Sequence, residues 1–97
     1  MVYMYKVITN DSSVWTVVSH SEDIIPWLES RVGCVPYVEM VYKLETEDPK
    51  WVVREVRKNF RGHTDLGKVL LWTPYYKLMR QVSSLVEDVI ELPDWVR

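Results

Sequence analysis

Val2–Ser19, VYMYKVITNDSSVWTVVS, consists of two runs rich in β-branched and aromatic residues, held apart by Asn10-Asp11-Ser12-Ser13. Valine, isoleucine, tyrosine and tryptophan suit a pleated, half-buried surface, and an Asn/Asp/Ser cluster between two such runs has the chemistry of a turn. The stretch therefore predicts a hairpin, with strands over Val2–Thr9 and Val14–Ser19. A hairpin commits the chain to a sheet that begins with an antiparallel pair.

Beyond it, Ser19 or Ser21 is placed to cap a short helix opened by Glu22-Asp23, with Pro26 in its first turn and Gly33 at its end. Val35–Leu44 alternates, with Val38, Met40, Tyr42 and Leu44 on one side and Tyr37, Glu39, Val41 and Lys43 on the other, as in a half-buried strand. Asp48-Pro49 supplies a cap and a first-turn proline for a helix running to Arg61. The glycine-flanked segment from Arg61 to Gly67 reads as a polar loop, and Lys68–Trp72 as a short apolar strand. Thr73-Pro74 starts a long helix whose stripe is Tyr75, Leu78, Met79, Val82, Leu85, Val86 and Val89. Pro93 stops it and leaves a four-residue tail containing Trp95. The predicted order is β-β-α-β-α-β-α, giving a single α+β domain over residues 1–97. A small antiparallel or mixed sheet would carry helices packed on it.

Composition agrees with one folded domain: 97 residues, 47% hydrophobic and 27% charged. No apolar run approaches the roughly 20 residues that span a bilayer, and the first residues, MVYMYKV, lack the basic head and long apolar centre of a signal peptide. The expectation is a cytoplasmic protein with no membrane partner. The single cysteine, Cys34, has no second thiol for a disulfide or a metal pair and reads as a buried structural residue. Two asparagines and one glutamine against seventeen valines match a compositional tendency of proteins from hot environments, so a thermophilic source is also an expectation.

The helix from Asp48 to Arg61, DPKWVVREVRKNFR, carries the strongest functional signal. At 100° per residue Val52, Val53, Val56 and Phe60 share one arc, while Lys50, Arg54, Arg57 and Arg61 recur along another. Although the chain is −2 overall, six cations and two acids between Lys50 and Lys68 give that segment +4 and leave −6 on the rest. Four cations along three turns repel one another unless they are solvated or matched by a partner. The bland reading is a solvated helix face with Glu55 partly compensating. The functional reading is contact with phosphates or an acidic protein surface, with Trp51, Lys58 and His63 at its edges and Trp51 able to stack on a base.

The order of elements resembles the GIY-YIG nuclease superfamily, in particular its small phage- and virus-encoded branch. In that resemblance VYMYKVITNDSSVWTVVSHSEDIIPWLESR supplies the two strands and first helix, EMVYKLETEDPKWVVREVRKNF the third strand and second helix, and LLWTPYYKLMRQV the last strand and helix. Val2-Tyr3-Met4 stands where the first triplet is expected, and the second falls within Thr16-Val17-Val18, with no glycine. The family's catalytic arginine falls at Trp27 and its metal-binding glutamate at Val53. Neither residue can hold a divalent metal or stabilise charge on a phosphate, so the resemblance implies a catalytically silent descendant from a virus or mobile element.

Three functions follow as expectations. The first is a non-catalytic protein that contacts nucleic acid through Lys50, Trp51, Arg54, Arg57, Lys58, Arg61 and His63, with no cofactor and no metal. The second is a protein-interaction or self-assembling module, with a protein partner or a homodimer built on exposed aromatics. The third is an active metal-dependent endonuclease using a shifted set, Tyr3, Arg31 and Glu55, although Glu55 lies well off the apolar arc of its helix. His20 and His63 have no partner at metal-ligand spacing, and the acids Glu45, Glu47 and Asp48 read as complements to a helix N-terminus.

Overall fold

The computed structural model describes residues 1–9, 12–32, 37–59, 62–65, 68–71 and 73–92. Strands β1 (Val2–Ile8) and β2 (Val14–Ser19) form the expected hairpin, in register from Tyr3 opposite Ser19 to Ile8 opposite Val14. Its turn is closed by the Thr9 amide donating to the Ser13 carbonyl at 3.0 Å, and Ser12 takes a left-handed φ of 68°. Strand β3 (Tyr37–Glu45) pairs antiparallel with the other side of β1, which makes β1 the centre of the sheet.

The remaining elements are α1 (Ile25–Val32), α2 (Pro49–Asn59), β4 (Gly62–Asp65), β5 (Lys68–Leu71), α3 (Tyr75–Val82) and β6 (Asp88–Glu91). Among the described residues the sheet has six strands in the order β4-β5-β2-β1-β3-β6, and each of these pairings is antiparallel. The α+β class and a sheet covered by helices are therefore as the sequence predicts.

Side chains alternate across the sheet and give it two buried faces. On one face Val2, Met4, Val18 and Leu44 pack with Val52, Val53 and Val56 of α2 and Leu78 and Val82 of α3. On the other, Tyr5, Val7 and Val17 pack with Ile24 and with Trp27 and Leu28 of α1. The molecule is a three-layer sandwich, with α2 and α3 together on one side and α1 alone on the other.

Four local expectations are corrected. First, β3 does not present one continuous face: its register against β1 shifts between Met4 and Tyr5, so that Met4 opposes Tyr42 while Tyr5 opposes Met40. The extra residue is Val41, and a bulge of this kind reverses the alternation. Val38 and Met40 consequently pack on the α1 side, while Val41 and Leu44 are buried, and Tyr42 packs, on the α2/α3 side.

Second, the segment read as a polar loop contains β4, whose Gly62–Asp65 pair antiparallel with β5 from Gly62 opposite Leu71 to Asp65 opposite Lys68. Its residues have weak strand preference, and cross-strand pairing holds them extended. Third, the last helix ends at Val82 rather than Val89. The Ser84 hydroxyl donates to the Gln81 carbonyl at 2.7 Å, and the Leu85 amide donates to the Val82 carbonyl at 2.9 Å, tightening the turn. Asp88–Glu91 then adds to the edge of β3. Leu85, Val86 and Val89 still reach the core of that face, from a turn and a strand rather than a helix.

Fourth, the helix starts differ. Ser19 and Ser21 hydrogen-bond to each other, and the Ser21 hydroxyl oxygen accepts from the Asp23 amide, in a turn ahead of α1, which begins at Ile25, so Glu22-Asp23 precede the helix and Pro26 occupies its first turn. The cap residue of α3 is Pro74, with no side-chain cap bond. The Thr73 carbonyl instead accepts from the Thr16 hydroxyl at 2.7 Å, tying the start of α3 to the sheet. The expectations placed on Gly33, Cys34, Phe60, Arg61, Pro93 and Trp95 lie outside the described residues.

Candidate nucleic-acid interface

Helix α2 is set by its N-terminus. The Asp48 carboxylate accepts from the Trp51 amide at 3.1 Å, which is the cap the sequence predicts, and Pro49 occupies the first helical position, where no amide is needed. With the start fixed, the helical period puts Val52, Val53 and Val56 into the core. Lys50, Arg54, Arg57 and Lys58 are consequently exposed, and Trp51 is 39% exposed at the edge of the same surface. Glu55 pairs with Lys58 at 3.2 Å. Among the described residues Lys50, Arg54 and Arg57 have no ion pair. Of the other residues assigned to this surface, Arg61 lies outside the described residues, and His63 is placed only by its backbone, in β4.

Helix α3 lies on the same side of the sheet and adds three residues that sequence reasoning passed over. Tyr76, Lys77 and Arg80 line an open hollow of about 450 Å³. Tyr76 is 63% exposed and meets Tyr75 nearly edge-on, at 82° with 5.8 Å between centroids. Tyr75 in turn meets Tyr42 of β3 at 5.9 Å. Burial, then the charge of Glu91 and the Tyr75 phenol, hold the Tyr42 phenol above its ordinary pKa and therefore neutral. The available sequence signal was the i, i+1, i+4 spacing of an aromatic and two cations opposite the apolar stripe. Together α2 and α3 carry six cations, Lys50, Arg54, Arg57, Lys58, Lys77 and Arg80, against one acid, Glu55.

Acids collect elsewhere. Glu22, Asp23 and Glu29 lie at or before α1, and Glu45, Glu47, Glu87, Asp88 and Glu91 lie along the β3/β6 edge. Among the described residues no group of three or more His, Cys, Asp or Glu side chains is placed to hold a metal ion.

The positions that the GIY-YIG resemblance singles out are not brought together. Trp27 is 8% exposed in the α1 layer and Val53 is 4% exposed in the α2/α3 layer, so the sheet lies between them. The shifted set is divided in the same way. Tyr3 packs on the α1 side and Arg31 belongs to α1, whereas Glu55 belongs to α2 on the opposite side. Comparison with protein-family models, curated proteins and solved structures finds no match, so the properties of this surface have to be read from its own geometry and charge.

Proposed function

We propose that the chain is a non-catalytic binding protein whose α2 face contacts the phosphate backbone of nucleic acid, with little sequence preference. The observation that carries this reading is the set of three exposed cations on α2, Lys50, Arg54 and Arg57, with no ion pair among the described residues, beside the cations of α3 on the same side of the sheet. Residues three or four apart on a helix sit about 5 to 6 Å from one another. A series of this kind can follow successive phosphates on a strand. Lys58 and Trp51 flank the series on α2, and Arg61 and His63 are assigned to the surface by the sequence alone. A descent from GIY-YIG nucleases, and with it a viral or mobile-element source, rests on the resemblance in element order; on that reading the chain is a silent member.

The test is fluorescence anisotropy with a labelled duplex across a salt series. Each phosphate contact contributes about −0.9 to the log–log salt slope. The Arg54→Ala/Arg57→Ala double variant is expected to bind more weakly and to lose up to about two contacts of slope. The labelled strand is expected to be recovered intact in Mg²⁺. Unchanged binding by the double variant, or none by the parent at about 50 mM salt, overturns the reading.

A second reading is self-assembly, favoured by one observation. The edge strand β6 exposes Asp88 and Glu91 next to exposed Glu45 and Glu87, an acidic rim complementary to the basic helices of another copy. A molecular mass that rises with protein concentration and falls with salt would support it.

A further inference from the structure

We propose that the hollow on α3 is a base-stacking subsite for single-stranded nucleic acid, in which one base lies on the Tyr76 ring and the adjoining phosphates meet Lys77 and Arg80. The inference deepens the nucleic-acid reading of α2 and rests on it.

Three observations converge on this subsite. A tyrosine ring that is 63% exposed on a helix with a well-filled apolar face contributes little to the core. It nonetheless ends a relay of ring contacts, Tyr42–Tyr75–Tyr76, which runs from the sheet to the surface at 5.9 and 5.8 Å. A tyrosine has only two side-chain torsions to fix when a ligand stacks on its open face.

The second observation is the pair of cations. Lys77 and Arg80 are exposed and line the same hollow as Tyr76, so one aromatic and two cationic side chains border a single volume of about 450 Å³. A planar, uncharged ring attached to anionic groups on either side has the complementary chemistry, and a nucleotide within a strand has that form. The third is position: α3 shares its side of the sheet with the α2 cations, so a backbone tracking α2 can extend to the subsite. A duplex encloses the faces of its bases, so only an unpaired strand can offer one to Tyr76.

Anisotropy measured with three probes at about 50 mM salt separates the possibilities: a short oligothymidylate, an abasic strand of the same length and a duplex. Tyr76→Ala is expected to weaken oligothymidylate binding by between about 5-fold and 150-fold, as the loss of one stacked base implies, and Tyr76→Phe to retain it. Neither variant should alter binding of the abasic strand or the duplex, and equal thermal midpoints confirm that the fold is intact. Oligothymidylate affinity unchanged in Tyr76→Ala, or an equal loss on the abasic strand, overturns the subsite. If the parent binds the abasic strand and the duplex while Tyr76→Ala changes nothing, the subsite alone is wrong. If the parent binds none of the three probes, the nucleic-acid reading fails with it.

Discussion

Val53→Ala tests whether the phase of α2, and therefore the direction of its basic face, is as described. Val53 is 4% exposed and belongs to the core cluster that includes Val52, Val56 and the sheet residues Met4 and Val18. Removing two buried carbons costs about 1.6 kcal/mol at about 0.8 kcal/mol each. Incomplete collapse around the space left behind adds about 24 cal/mol per Å³. The expected loss is about 2 kcal/mol, within about 1 to 3, and for a domain of this size it corresponds to a fall in Tm of about 8 to 16 °C. Arg57→Ala, on the exposed face of the same helix, should change stability by less than about 0.5 kcal/mol. Urea unfolding followed by tryptophan fluorescence measures both, with an unchanged m-value confirming that only the native state is perturbed. Equal losses in the two variants would show that α2 is rotated from the described phase, and the binding surface built on it would fall as well.

Two further predictions concern the scaffold. Asp48→Ala removes the carboxylate that accepts the Trp51 amide and should cost about 1 kcal/mol in urea unfolding, whereas Asp48→Asn should be nearly neutral; equal effects would mean that the cap does not hold the helix. Tyr5 donates to the Glu22 carbonyl at 2.9 Å, and burial, followed by the charges of Glu22, Tyr3 and Asp23, raises its pKa well above the ordinary tyrosine value of 10.0. A raised folded-state pKa means that the unfolded chain ionises first, so the contribution of Tyr5 is complete below about pH 10 and declines as the pH rises beyond it. Stability measured from pH 8 to 11 should fall less steeply in Tyr5→Phe than in the parent, and parallel profiles would refute the assignment.

How much was legible in the sequence depended on whether a residue's environment is set locally. The β1–β2 hairpin was readable because β-branched strands flank an unambiguous turn, and α2 because Asp48-Pro49 fixes its start and a single period then fixes both of its faces. The burial of Val52, Val53 and Val56 and the exposure of Lys50, Arg54 and Arg57 are therefore two consequences of one phase. Features that depend on distant pairing were not readable. Strand β4 is extended because β5 lies beside it, and the bulge at Val41 is a property of the β1–β3 register. The spacing of Leu85, Val86 and Val89 continues the helical stripe, although their chain has already turned back to pair with β3. The α3 hollow belongs to this second group. Tyr76 would be an unremarked surface residue without Tyr75 and Tyr42 beneath it, and Tyr42 faces α3 only because the bulge at Val41 turns the second half of β3 toward that side. The irregularity that defeated the alternating reading of β3 is thus what gives the exposed ring its support.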